Sequence, residues 1–149
     1  GSLAQILAVY LLDTHILSEV LKKRPNPLLI ERLAKTTRSS QFTSCICVLE
    51  LRYGSQRRQN HEAFWERIRA ELLSRITVLD LSENMAVLAG DLLALLERRG
   101  EQIGLPDLFI TATALEAGFT VVTANTRHFR RIPNLKIENW LVYFFSAFV

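Results

Sequence analysis

Cysteine is scarce: the 149 residues hold two, Cys45 and Cys47. They stand too close along the chain to bridge each other in an ordinary disulfide. With no second Cys or His pair at finger spacing they make no zinc site either. Both read as packing residues, and the chain as one suited to a reducing cytoplasm. Long apolar runs are missing too. Residues 3–12 and 140–149 are strongly apolar, but each is about half the ~20 residues that a membrane span requires. No membrane partner is therefore expected. There is no low-complexity linker and no internal repeat, which leaves one compact domain over residues 3–149. Gly1-Ser2 reads as the remnant of a removed tag. Residues 141–149 read as an apolar C-terminal tail that packs on the body, since an exposed patch so apolar is a liability; a segment used for dimerisation or a partner is the other role open to it.

Lysine is also sparse. Of eighteen basic residues four are Lys (22, 23, 35 and 136) and fourteen are Arg. Arginine suits bidentate contact with phosphate, where lysine offers a point charge. Clusters fall at Lys22-Lys23-Arg24, Arg52 with Arg57-Arg58, Arg98-Arg99, and Arg127 with Arg130-Arg131. Any one of these is explained as a solvated helix end. A polyanionic substrate explains several at once.

Hydrophobic residues make up 49% of the chain, and they follow an alternating order. Residues 9–12 form a buried strand pattern, and a helix with Ile16, Leu17, Val20 and Leu21 on one face follows over residues 14–22. Pro25 and Pro27 break it, and Pro27 suits the start of a second helix to Lys35. Residues 41–43 form a strand, with Thr43 or Ser44 placed to cap a helix over 45–56. An amphipathic helix over 61–74 precedes a strand at 76–79. Ser82 caps a long helix that ends at Gly100. Pro106 suits a first helical turn, and Gly118 ends that helix. Residues 119–123 form a strand, a short helical turn follows Asn125, and 136–138 form an edge strand. The alternation predicts an α/β fold with a mostly parallel sheet of four to five strands flanked by helices.

Four polar residues then stand out. Asp13 closes the run Val9-Tyr10-Leu11-Leu12, and Glu50 interrupts Val48-Leu49-Glu50-Leu51. Asp107 opens the apolar helix after Leu105-Pro106, and Asn125 follows the strand that ends at Thr123. Carboxylates are rarely buried unless paired or bound to metal. In open parallel sheets, ligand sites lie beyond the carboxyl ends of the strands, where Asp13 and Asn125 fall. Gathered together, such acids suit a hard divalent cation, Mg²⁺ or Mn²⁺. An ion of this kind relieves their mutual repulsion and assists attack on phosphorus. Thr14 and Thr123 adjoin the acids and are expected to hold water or a carboxylate. Each acid also has a plainer role open to it: Asp13 as a cap, Asp107 as a first-turn acid favoured by the helix dipole, Glu50 in an ion pair with a nearby Arg. A receiver-like phosphotransfer domain also places acids at strand ends. It needs a nearby Lys, and none lies between Lys35 and Lys136.

The stretch Tyr10-Leu11-Leu12-Asp13-Thr14-His15-Ile16-Leu17-Ser18-Glu19 resembles the opening of PIN-domain ribonucleases, especially the VapC-type toxins of toxin–antitoxin pairs. Val48-Leu49-Glu50-Leu51-Arg52-Tyr53-Gly54 resembles the family's second acidic motif. Leu105-Pro106-Asp107-Leu108-Phe109-Ile110-Thr111-Ala112-Thr113-Ala114 resembles its third. Val122-Thr123-Ala124-Asn125-Thr126-Arg127-His128-Phe129 resembles its fourth, and Ile137-Glu138-Asn139-Trp140 its usual ending. The resemblance implies a Rossmann-like PIN fold and a Mg²⁺- or Mn²⁺-dependent endoribonuclease, with Asp13, Glu50 and Asp107 as catalytic acids and metal ligands. Asn125 stands where many relatives carry a fourth acid and is expected to orient water. His128 stands where a further Asp is common and is expected at the surface. His15 is expected to support or pack beside the site. Arg52 and Arg127 are the expected substrate contacts, with pairing to Glu50 the other role open to Arg52. The implied partners are RNA (tRNA foremost), a small VapB-like antitoxin and a second copy of the chain. The rival reading is a catalytically impaired PIN-fold module that binds RNA or antitoxin without cutting.

Overall fold

The computed structural model describes residues 8–143. Its framework is a five-stranded sheet in the order β3-β2-β1-β4-β5, in which every neighbouring pair is parallel. The strands are short: β1 (Tyr10–Leu12), β2 (Gln41–Ser44), β3 (Thr77–Leu79), β4 (Thr120–Val122) and β5 (Lys136–Glu138). Around them lie α1 (Thr14–Val20), α2 (Pro27–Lys35), α3 (Cys45–Gln56), α4 (His61–Glu71), α5 (Glu83–Arg98), α6 (Leu105–Ala117) and α7 (Thr126–Phe129). The expected α/β architecture, parallel sheet and flanking helices are therefore present.

The inner strands β1 and β4 are buried throughout, with Leu11, Val121 and Val122 at 0% exposure. A parallel sheet covered on both faces selects such uninterrupted apolar runs. The outer strand β3 keeps Thr77 and Val78 exposed. At the β5 side, Trp140 is buried and meets Tyr10 edge-on at 4.8 Å. Its indole N–H donates to Glu138 Oε1 at 3.0 Å, and the same carboxylate pairs with Arg32 at 2.8 Å. The apolar C-terminal stretch thus begins by docking at Trp140, while residues 144–149 lie outside the described part, as do the proposed tag remnant and the rest of residues 1–7.

Helix starts follow their caps. Ser44 accepts from the Ile46 amide at 3.2 Å and Ser82 from the Met85 amide at 3.1 Å. Thr43, the other capping candidate, instead donates across the sheet to Leu12 O at 2.7 Å. Gly118 ends α6 at φ 75, a left-handed conformation that glycine adopts without a Cβ clash. One boundary moves. The apolar pattern continues through Leu72 and Leu73, but the α-helix ends at Glu71 and a 3₁₀ turn at Leu73–Arg75 leads into β3.

Sheet order and strand direction together position the site. The chain steps outward from β1 through β2 to β3, then returns to the other side of β1 with β4. The carboxyl ends of β1, β2 and β4 are adjacent at this reversal, where open α/β sheets form their ligand crevices.

Candidate active site

Asp13 follows β1 directly. Its amide donates to Val122 O at 3.1 Å, tying it to the end of β4. Its Oδ1 accepts from the Ile16 amide at 2.9 Å and caps α1. At 6% exposure it is a buried carboxylate, and among the described residues no Lys or Arg forms an ion pair with it. Burial pushes its pKa above the ordinary carboxylate value, and the charge of Asp107 pushes the same way. Hydrogen bonds from Thr123 and the Ile16 amide, and the nearby His15, pull it back only in part.

Glu50 reaches the same place from α3. It is half-buried, and Thr14 Oγ1 donates to its Oε1 at 2.6 Å. This contact joins the residue after Asp13 to a helix thirty-six positions away. Asp107 stands in the first turn of α6, where the helix dipole favours an acid. Its side chain is 38% exposed, and its Oδ2 lies 3.1 Å from His128 Nε2. Asn125 is exposed just before α7, with its amide donating to Thr123 Oγ1 at 3.0 Å.

These groups meet around one open cleft of about 590 Å³, lined by Asp13, Thr14, His15, Glu50, Asp107 and Asn125, with Ser18, Ile110, Ala124 and Phe129 completing its wall. Thr123 sits beneath it, fully buried and bonded to Asp13. Cys47 is buried close by, and burial pushes its thiol pKa up. A thiol held neutral in this way is a poor nucleophile or ligand. Cys45 is also free.

Two expected substrate contacts stand elsewhere. Arg52 is two residues past Glu50, roughly 200° around the helix, and its guanidinium lies over the Trp65 ring at 5.0 Å. It neither pairs with Glu50 nor lines the cleft. Arg127 is exposed on α7, outside the lining. His128, expected at the surface, is instead turned against Asp107 with its side chain 25% exposed. Ser18 also enters the cleft wall, one turn along α1 from Thr14, a position the i, i+4 periodicity makes readable.

The donor set fits a hard cation by its chemistry. Three carboxylates face one cleft, and the deepest of them carries a charge disfavoured by burial. Among the described residues, no three acid, His or Cys side chains converge as a finished metal cage. Glu50 accepts from Thr14, and Asp107 lies against His128, so a neighbour orients each of the two.

A family profile described as the PIN domain matches residues 10–135. Ribonuclease VapC2 of Rickettsia felis is 35% identical over 134 residues, covering 89% of this chain and 98% of its own. The tRNA(fMet)-specific endonuclease VapC of Salmonella typhimurium is 34% identical over 131 residues, covering 88% and 97%. Among solved structures, VapBC2 from Rickettsia felis bound to a promoter DNA fragment aligns with a TM-score of 0.81 at 32% identity, over 89% of this chain and 98% of that one. DNA-bound VapBC from Salmonella typhimurium aligns with a TM-score of 0.83 at 32% identity, over 90% and 99%.

Proposed function

This chain belongs to the PIN domain family, and on that premise we propose that it is a single-domain, metal-dependent endoribonuclease, the toxin of a VapBC-type toxin–antitoxin pair. The observation that carries the reading is the meeting of Asp13, Glu50 and Asp107 around one cleft at the carboxyl edge of a parallel sheet. The names of its relatives supply the substrate class: ribonucleases, one of them specific for a tRNA.

Asp13, Glu50 and Asp107 are the residues that would hold Mg²⁺ or Mn²⁺. When bound, such an ion polarises a phosphoryl oxygen and makes water a competent nucleophile near neutral pH. Asp13 anchors the set, its orientation fixed by the Ile16 amide and by Thr123. Thr14 holds Glu50 against rotation. Asn125, at the cleft rim, offers an amide to orient water or a phosphate oxygen. Arg127, exposed outside the cleft lining, would meet the RNA backbone beyond the cleft. Attack by water rather than the ribose 2′-hydroxyl leaves a 5′-phosphate and a 3′-hydroxyl.

The partners proposed with this activity are RNA, a VapB-like antitoxin and a second copy of the chain. The antitoxin follows from the VapBC assemblies of the relatives. The second copy accounts for exposed apolar side chains around α6: Leu49 and Tyr53 at i, i+4 on α3 (60% and 64% exposed), Val87 on α5 (61%) and Leu105 (61%). Among the described residues no helix is long and apolar enough to cross a membrane. With two free cysteines, a cytoplasmic setting is the compartment proposed.

The deciding experiment incubates total tRNA with purified protein and Mn²⁺, beside Asp13→Asn and an EDTA control. Discrete fragments from the wild type alone support the nuclease. Equal cutting by the variant overturns the assignment of Asp13. Uncut RNA in every arm, with no Mn²⁺ binding in calorimetry, favours the impaired binding module.

A further inference from the structure

We propose that Arg131 is a positioning residue for Asp107, clipping the loop before α6 to the end of α7 and setting the third carboxylate through His128. The proposal rests on the nuclease reading above for its consequence, though not for its geometry.

A single guanidinium makes the clip. Its Nε donates to His128 O at 2.9 Å, and one terminal nitrogen donates to Gln102 O at 2.6 Å. The same nitrogen lies 3.3 Å from His128 Nδ1 and 3.4 Å from Nε2, bracing the imidazole. The other terminal nitrogen stands 3.7 Å from Glu101 Oε2, an oxygen that is buried and accepts no hydrogen bond. That distance is an ion pair rather than a hydrogen bond, so the guanidinium charge faces the buried oxygen of a side chain that is otherwise partly exposed. The same Nε2 lies 3.1 Å from Asp107 Oδ2, and the ring packs edge-on against Phe129 at 5.3 Å.

The connected segments are also held by the Glu101 amide donating to Leu96 O at 2.8 Å and by the buried Phe129. Among the described side-chain hydrogen bonds, though, only the Arg131 fork joins one to the other. Residues 101–104 carry no helix or strand, and α7 is one four-residue turn. Yet the first leads directly into Asp107 and the second follows Asn125, so the clip spans two walls of the cleft. The planar fork of arginine serves separated carbonyls at fixed angles, which a lysine ammonium cannot reproduce. Loss of a group that orients a ligating carboxylate typically lowers metal affinity or activity by about 10- to 100-fold.

The test compares wild type, Arg131→Gln and Arg131→Lys by three readouts: hydrogen exchange of amides 101–107 without metal, Mn²⁺ affinity by calorimetry, and kcat against KM on tRNA. The expected result is faster exchange at 101–107 in both variants, Mn²⁺ affinity about 10- to 100-fold weaker, and a fall in kcat with KM little changed. Arg131→Lys keeps the charge and covers the case in which the glutamine variant fails to fold. Unchanged exchange at 101–107 overturns the clip. Faster exchange with wild-type Mn²⁺ affinity and kcat makes Arg131 a structural strut and overturns its role towards Asp107. A wild type that neither binds Mn²⁺ nor cuts overturns the underlying nuclease reading instead, and the exchange readout separates that failure from failure of the clip.

Discussion

Asp13 combines two roles that compete for one side chain. One oxygen caps α1, while the carboxylate as a whole is buried and faces the cleft. Because burial raises its pKa in the fold, the folded state holds the proton more tightly than the unfolded chain does. Its contribution to stability is therefore complete below the ordinary carboxylate range and is lost as pH rises through the raised value. Asparagine removes that loss and still caps the helix. In EDTA, Asp13→Asn is expected to melt above wild type at neutral pH, with the gap closing towards acid; equal melting curves at every pH would sink this account. Asp13→Ala also loses the cap and should be about 1 kcal/mol less stable than Asp13→Asn, as denaturant titration will show. Thr14 was legible as a hydroxyl that holds a carboxylate, but which carboxylate was not, since the bond to Glu50 crosses from α1 to α3. Thr14→Val should cut RNA about 10- to 100-fold more slowly, while Thr14→Ser keeps the hydroxyl and most of the rate. A Thr14→Val enzyme with wild-type kcat would remove Thr14 from the machinery.

At the scale of elements, capping and periodicity made most of the helices readable. Ser44 and Ser82 supply the caps, Pro27 and Pro106 mark first turns, and Gly118 supplies the left-handed stop. The end of α4 was not readable, because apolar spacing reports which side faces the core and not where the i→i−4 ladder stops. Leu72 stays buried and still bonds to Ile68 O, but its backbone (φ −120, ψ −65) already turns the chain towards β3. Gly118 provides the test at this scale. Alanine at φ 75 is expected to cost about 1–2 kcal/mol without changing kcat, because α6 is anchored for the site at its other end, by Asp107. Chemical denaturation and steady-state kinetics on Gly118→Ala check both halves; an unaltered midpoint would mean that this turn relaxes freely.

For the whole molecule, the proposed second copy would cover exposed apolar side chains of α3, α5 and α6. If they form the face between two copies, Tyr53→Glu should shift the mass in light scattering from dimer towards monomer and lower the melting temperature by the lost association, while the circular-dichroism spectrum below the transition stays that of wild type. A wild type that is monomeric at tens of micromolar would refute the dimer directly. The parallel α/β plan and the acids that line the cleft were legible in the sequence, because both are written in local order: apolar runs set strands and helices, and a carboxylate at the end of such a run is conspicuous wherever the chain later carries it. What only the tertiary structure decided is which side chains touch. Thr14 against Glu50, His128 against Asp107, and Arg131 across two loops are contacts made after the strands assemble. Likewise Arg52, two residues from Glu50, points away because helical geometry outweighs nearness along the chain. Local pattern determines elements through backbone hydrogen bonding and burial, whereas a site forms from residues distant in sequence, whose meeting depends on strand order.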